Sequence, residues 1–330
     1  MKVWVIGRGG LLGRSVESAV SNSASVFVPK QTFAWHDSAL VSKQIADACK
    51  SFFDEVGDEN WTIYWCAGRG TLSSLPIQMT EENQVFAGLI KTIEAVCSAA
   101  VLKSGTFFYA SSAGAVYAGS SKPPFTELTE AKSLSAYGDA KLHQEALLKE
   151  FAKSHQVRVL VGRISNLYGA RQDLAKNQGL ISTICYSVLR RQPISLFVPL
   201  ETSRNYVYID DAAKSVVRHT QSLFSAASEN KFVIKLIVAQ DNLTIGSILK
   251  IATSVLRVRP LVTISANKSG STQPQSLVFK SVVNTNLDTD SSTGFTVGVK
   301  KVMSDLQSSF LATGWQNTSE NTSEKTSEKV

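Results

Sequence analysis

The chain has 330 residues, 43% of them hydrophobic, and a net charge of +7 from 34 basic and 27 acidic side chains, with a mean hydropathy of zero. Such a chain can bury a sizeable core, as one large domain or two coupled ones, which excludes a wholly disordered polypeptide. It has no uncharged apolar run of roughly 18 residues to cross a membrane, no basic stripe interleaved with aromatics for nucleic acid, and no Cys or His spacing that suits a metal.

The first strand is expected at 3–6, an apolar run that suits a buried parallel strand. Gly7, Gly10 and Gly13 follow at three-residue spacing, and Leu11, Leu12, Val16 and Val20 then mark a helix. A glycine turn from strand to helix lets backbone approach a pyrophosphate, and the helix N-terminus offers free N–H groups. Because the N-terminus enters this strand and turn at once, no secretory signal is expected and the cytoplasm is the expected compartment. After a second strand at 25–28, an acid would normally hold the ribose 2′-OH of NAD. Here stand Pro29, Lys30, Gln31 and Thr32, and the next acid is Asp37. Arg8 in the glycine turn and Lys30 near the expected ribose suit a 2′-phosphate, so NADP is expected ahead of NAD.

Further strands are expected at 62–66, ending in Ala67-Gly68, at 106–110 and at 158–162, with helices at 82–100 and 136–154. Alternating strands and helices imply a parallel, doubly wound sheet with ligands at the carboxyl ends of its strands. The glycine turn, Ala67-Gly68, Ser111-Ser112 and Ser165-Asn166 all stand at such ends. Tyr137 and Lys141 are four apart and share one helix face. An ammonium beside a phenol stabilises the phenolate, so this tyrosine can move a proton. Ser111 and Ser112 stand ready to hydrogen-bond the same reacting oxygen. With a hydride carrier, this is equipment for oxidising an alcohol or reducing a ketone. Cys49, Cys66, Cys97 and Cys185 read as free thiols in a reducing compartment. His36, His143, His155 and His219 read as surface or core-edge residues. The polar tail from Asn317 is expected to be disordered.

Taken together, GRGGLLG at Gly7, YWCAG at Tyr64, SSAGAVY at Ser111, YGDAK at Tyr137, RISNLYG at Arg163, NQGLI at Asn177 and RNYVYIDDAA at Arg204 resemble one family. It is the extended short-chain dehydrogenases/reductases, and within it the NAD-dependent epimerase/dehydratase proteins that act on nucleotide sugars. The resemblance runs from Met1 to about residue 255 and weakens beyond. It implies an α/β fold: a Rossmann-like doubly wound parallel sheet with a smaller C-terminal α/β substrate-binding domain. The first would take 1–170 and about 205–222, the second 171–204 and 223–316, with 317–330 as tail.

The resemblance also implies roles. Tyr137 would be the catalytic acid/base, and Lys141 would bind the nicotinamide ribose and lower the tyrosine pKa. Gly7, Arg8, Gly10, Leu11, Leu12, Gly13, Lys30, Cys66, Ala67, Gly68 and Ser165 would surround the cofactor. Asn166, Leu180, Ile181 and Arg204 would face a nucleotide-diphosphate sugar, with Arg204 on a phosphate. A homodimer through the helices at 82–100 and 136–154 is implied, with neither nucleic acid nor membrane as partner.

Two departures stand out. The ribose acid is missing, as above. The family's catalytic Ser/Thr usually precedes the Val of the Val-Tyr pair by three, and that position, counted back from Val116, is Ala113. Ser112 is the expected substitute, with Ser111 as the other hydroxyl. Ala113, Gly114 and Ala115 also lack the acid and base that removal of water requires, so dehydration is not expected. Epimerisation at C4 through a transient 4-keto sugar is the expected reaction. The alternatives are NADPH-dependent reduction of a 4-keto nucleotide sugar and a non-catalytic cofactor-binding scaffold.

Overall fold

Apolar runs separated by amphipathic helices build the central sheet of the computed structural model, which describes residues 1–174, 179–225, 231–264, 276–288 and 292–313. The first half runs β1 (Lys2–Ile6), α1 (Leu11–Val20), β2 (Ser25–Phe27), α2 (Ser38–Val56), β3 (Trp61–Trp65), α3 (Pro76–Val96) and α4 (Ala99–Lys103). It continues with β4 (Gly105–Ser112), the one-turn α5 (Ala113–Val116), α6 (Ala136–His155) and β5 (Arg158–Ile164). Then come β6 (Asn166–Tyr168), α7 (Leu180–Arg190), β7 (Ile194–Leu196), β8 (Ser203–Tyr208), α8 (Ile209–Ser225) and β9 (Phe232–Ile237). β10 (Asn242–Thr244), α9 (Ile245–Leu256), β11 (Val262–Ile264), β12 (Ser276–Leu277) and α10 (Phe295–Thr313) complete the described chain.

Six parallel strands lie in the order β2-β1-β3-β4-β5-β9. Their register aligns Val5 with Tyr64, Tyr64 with Phe108, and Ser112 with Ile164. Helices cover both faces, which is why β3 is buried along its whole length and alternates with nothing polar except Thr62. On one face α1 and α8 pack with Val16, Val20, Ala212 and Val216 in the core. On the other, α2, α3 and α6 enclose an aromatic core of Trp4, Trp61, Trp65, Phe52, Phe86 and Phe107. Edge-to-face pairs such as Trp65–Phe86, 5.0 Å between centroids, add to their burial. Smaller sheets stand apart: β8 pairs with β6, β10 and β12, and β7 with β11.

The structure adds to or shifts the expected elements at several points. The helix expected at 82–100 starts at Pro76 and ends at Val96, and α4 is separate. Pro76 suits a first helical position, and the Gln78 side chain closes back on the Leu75 N–H at 2.9 Å. At the other end, Ser98 caps α4 afresh. α2 is not among the expected elements, although Val41, Ile45, Cys49, Phe52 and Val56 repeat at helical spacing and are buried. β9 falls within 223–316, assigned to the smaller domain, yet it pairs with β5 as the outermost strand of the main sheet. The tail from Asn317 and Asn177 of the NQGLI motif lie outside the described residues.

Candidate active site

The β1–α1 turn is tight because two of its residues have no side chain. Gly7 has φ +90°, and a Cβ there would lie 2.6 Å from the Ala67 backbone nitrogen. A Cβ on Gly13 would collide with the Gly7 carbonyl. Gly10 donates its N–H to that carbonyl at 2.9 Å and stands at the N-cap of α1 with no side-chain cap. The first turn of α1 holds no acid, so the N–H groups of Leu11, Leu12 and Gly13 face outward without competition from a carboxylate. β1 lies between β2 and β3, so this turn stands where the strand order reverses. A dinucleotide pyrophosphate fits the cradle in shape and sign, and Cys66, Ala67 and Gly68 at the end of β3 form its facing wall.

The cations expected near a 2′-phosphate differ in state. Arg8 is paired with Glu17 of α1 at 2.5 Å, in a bridge exposed enough for solvent to compete. Lys30 is exposed and makes no ion pair among the described residues. Asp37 caps α2 by accepting the Leu40 N–H at 2.9 Å.

Tyr137 and Lys141 occupy the first turns of α6. Ser135 caps that helix by accepting the Gly138 N–H at 3.1 Å, and Lys153 complements its dipole at the far end. Lys141 is 4% exposed and donates to the Ala110 carbonyl at 3.1 Å. Its ammonium lies 5.5 Å from the Tyr137 ring centroid and 4.9 Å from that of Tyr109. Burial alone would pull its pKa down. The phenols of Tyr109 and Tyr137 and the Glu82 carboxylate outweigh burial, so Lys141 is held above its ordinary value and stays charged. Tyr109 in turn donates to Gln144, whose amide reaches Asn83 on α3 at 2.7 Å. A Cβ on Gly68 would lie 3.8 Å from the Lys141 nitrogen, so the lysine meets the wall of the cofactor cradle.

The two serines have different surroundings. Ser111 is buried and donates to Glu145 at 2.6 Å. Glu145 receives a two-pronged bond from Arg163, at 3.1 and 2.6 Å, and Arg163 also donates to the Tyr117 hydroxyl at 2.6 Å. Ser112 ends β4 half-buried and caps α5, accepting the Ala115 N–H at 3.3 Å. Ala113 is wholly buried.

Other expected residues spread over the β5–β6 junction, β8 and α7. Ser165 is buried and donates to Asn205 at 2.7 Å, and the exposed Asn166 donates to the Asn205 carbonyl at 2.9 Å. Arg204 is 8% exposed and donates to the Ser203 carbonyl at 2.9 Å, and burial pulls its pKa below the usual value. Leu180 is partly exposed, whereas Ile181 packs in the core. Beside the strand end of β3 is a cavity of about 290 Å³, bounded by Trp35, His36, Trp65, Arg69, Met79 and Glu82 among others. Sequence reasoning missed Glu82, Tyr109 and Glu145. Only Glu145 leaves a local signal, since it stands eight residues after Tyr137 on the same helix face.

A sequence model of the NAD dependent epimerase/dehydratase family matches residues 4–234. Over 146 residues, 43% of this chain and 48% of the relative, the chain is 28% identical to a putative UDP-glucose 4-epimerase of Methanocaldococcus jannaschii. Over 107 residues, 32% of this chain and 34% of the relative, it is 34% identical to a dTDP-4-dehydro-6-deoxyglucose reductase of Escherichia coli. The chain therefore aligns with less than half the length of either relative. Among solved structures, a UDP-glucose 4-epimerase of Thermotoga maritima with UDP-glucose matches 94% of this chain and 100% of its own, with a TM-score of 0.75. At 17% identity that is a likeness of fold.

Proposed function

This chain belongs to the NAD dependent epimerase/dehydratase family, and on that premise we propose that it is a nucleotide-sugar epimerase that inverts C4 through a transient 4-keto sugar. One observation carries the reading: Lys141 joins Tyr137 on one side and Gly68, at the wall of the dinucleotide cradle, on the other. The nicotinamide group supplies the hydride acceptor and donor when bound. Tyr137 takes the proton from the sugar hydroxyl as the alcohol becomes a ketone, and returns it to the same oxygen as the alcohol re-forms. Lys141 keeps a positive charge beside that phenol, where negative charge develops. In this reading Ser112 supplies the hydroxyl to the reacting oxygen, supported by the bond that commits the Ser111 hydroxyl to Glu145. Ala113, Gly114 and Ala115 provide no acid or base for dehydration.

Purified protein is incubated with UDP-, GDP- and dTDP-sugars, with and without NADPH, and the products are separated by chromatography. Interconversion of C4 epimers without net cofactor consumption is expected, and Tyr137→Phe should abolish it while cofactor binding survives. Turnover by Tyr137→Phe at the wild-type rate removes the proposed acid/base.

Stoichiometric use of NADPH in the same assay is the outcome of a second reading, reduction of a 4-keto nucleotide sugar. The exposed Lys30, with no ion pair among the described residues and no acid after it in sequence before Asp37, supports that reading and NADP as cofactor. NADP should raise the melting temperature more than NAD at equal concentration, and the reverse order overturns this preference. A cytoplasmic homodimer through the packed helices α3 and α6 completes the proposal. A monomer mass by light scattering overturns the dimer.

A further inference from the structure

Between β3 and α3 the chain crosses the Tyr137–Lys141 pair as a short strap, Gly68 to Gly70. One carboxylate holds it: Glu82 of α3 accepts the N–H of Arg69 at 3.0 Å and that of Gly70 at 3.1 Å. Both ends of the strap touch the chemistry. A Cβ on Gly70 would lie 2.7 Å from the Tyr137 ring and 2.8 Å from Met79. A Cβ on Gly68 would lie 3.1 Å from the Glu82 carboxylate and 3.8 Å from the Lys141 ammonium. Measured through that shared point, the two charges are no more than about 7 Å apart.

We propose that Glu82 is a positioning residue of the Tyr137–Lys141 pair. It pins the strap against both side chains and places a negative charge beside them. The inference rests on the reading of Tyr137 as the acid/base. The other groups facing the pair are Tyr109 from β4 and, one helical turn deeper, Glu145 with its partner Arg163 from β5. The Arg69 guanidinium turns away to the Trp35 carbonyl at 3.0 Å, and His36 and Glu81 line the adjoining cavity. Glu82 is therefore the carboxylate on the strap side of Lys141. The exposed charge of a solvated helix face would not be spent on two backbone N–H groups of a loop.

Its removal has a defined sign. A negative charge near a phenol opposes loss of the phenolic proton, so Glu82→Gln favours the phenolate of the pair. The full chain is titrated to alkaline pH by near-ultraviolet phenolate absorbance, for wild type and Glu82→Gln, each with and without Tyr137→Phe. The component that Tyr137→Phe removes should move to lower pH in Glu82→Gln. The low-pH limb of kcat should move the same way. A component that stays at its wild-type position overturns the charge role. Glu82→Ala should speed exchange of the Arg69 and Gly70 amides by about tenfold or more, and unchanged protection overturns the pinning role. Should Glu82→Gln fail to fold, Gly70→Ala tests the strap with every charge in place: kcat should fall while KM holds. Wild-type kcat in Gly70→Ala overturns the strap's role. If the absorbance component moves but no nucleotide sugar turns over, the proposed reaction fails and the role of Glu82 stands.

Discussion

Glu145 and Arg163 form a buried ion pair behind the candidate active site, and cutting it from either side should be costly. Both side chains are about 6% exposed, and the guanidinium grips the carboxylate with two bonds. Glu145→Leu leaves Arg163 buried with only the Tyr117 hydroxyl, and Arg163→Met leaves Glu145 with only Ser111. Each single change should cost about 3–5 kcal/mol, because an uncompensated charge remains in the interior. That is a large part of a native stability of about 5–15 kcal/mol. The double variant removes both charges and should recover most of the loss. It does orphan the Ser111 hydroxyl, for about 1–3 kcal/mol. Tyr117 still donates to the Thr126 carbonyl at 2.9 Å, so it adds no such penalty. Adding Ser111→Ala to the double variant should then bring stability close to wild type. Urea unfolding measures all four variants, with constant m-values required for comparison. A coupling energy near zero, with the double variant losing the total of the two singles, refutes the reasoning. So does a single variant that loses under about 1 kcal/mol.

Gly13→Ala forces a Cβ onto the Gly7 carbonyl and shifts the turn that cradles the pyrophosphate. The rise in melting temperature on adding NADPH should disappear, and a wild-type rise refutes the assigned cradle. His219 is buried on α8, and burial holds its pKa below the ordinary 6.5 despite the Ser215 carbonyl and Asp288 nearby. The unfolded chain therefore takes up this proton first, so stability should be full above pH 6.5 and fall as pH drops toward the folded value. His219→Gln should flatten that acid limb in urea melts at stepped pH, and an unchanged limb refutes it.

Much of the central sheet was legible because its strands are continuous apolar runs. Residues 62–66 lie one position late against the observed β3, and 158–162 stops two residues short of the end of β5. The glycine spacing was legible for a steric reason, since Gly7 and Gly13 are positions where backbone meets backbone. Helix ends were less so. α3 begins with Pro76 and a Gln78 side chain that returns to Leu75, and neither lies within the apolar repeat that marks the helix. β9 has no local mark of its sheet, because its pairing with β5 joins residues over seventy positions apart. Ser165 and Ser111 look alike as hydroxyls at strand ends. Their partners Asn205 and Glu145 lie 40 and 34 residues away, which decides what each hydroxyl can still do.

One face of α6 explains why chemistry and architecture meet here. Tyr137, Lys141 and Glu145 follow at four-residue intervals, so they form a single stripe descending from the site into the core. Tyr137 is half-exposed, Lys141 is 4% exposed and Glu145 is 5% exposed. Each step down is tied to β4 at a different level: Lys141 bonds the Ala110 carbonyl, and Glu145 bonds the Ser111 hydroxyl. These two bonds fix the rotation of α6 against the strand whose last residue is Ser112. A tyrosine at the top of that stripe has little freedom to swing, because its helix is held at two points below and Gly70 lies against its ring. Buried charge is costly, and apolar residues in place of both Glu145 and Arg163 would suit stability alone. Its place in the stripe ties the ion pair to the same helix face that carries Tyr137 and Lys141, one turn below the lysine.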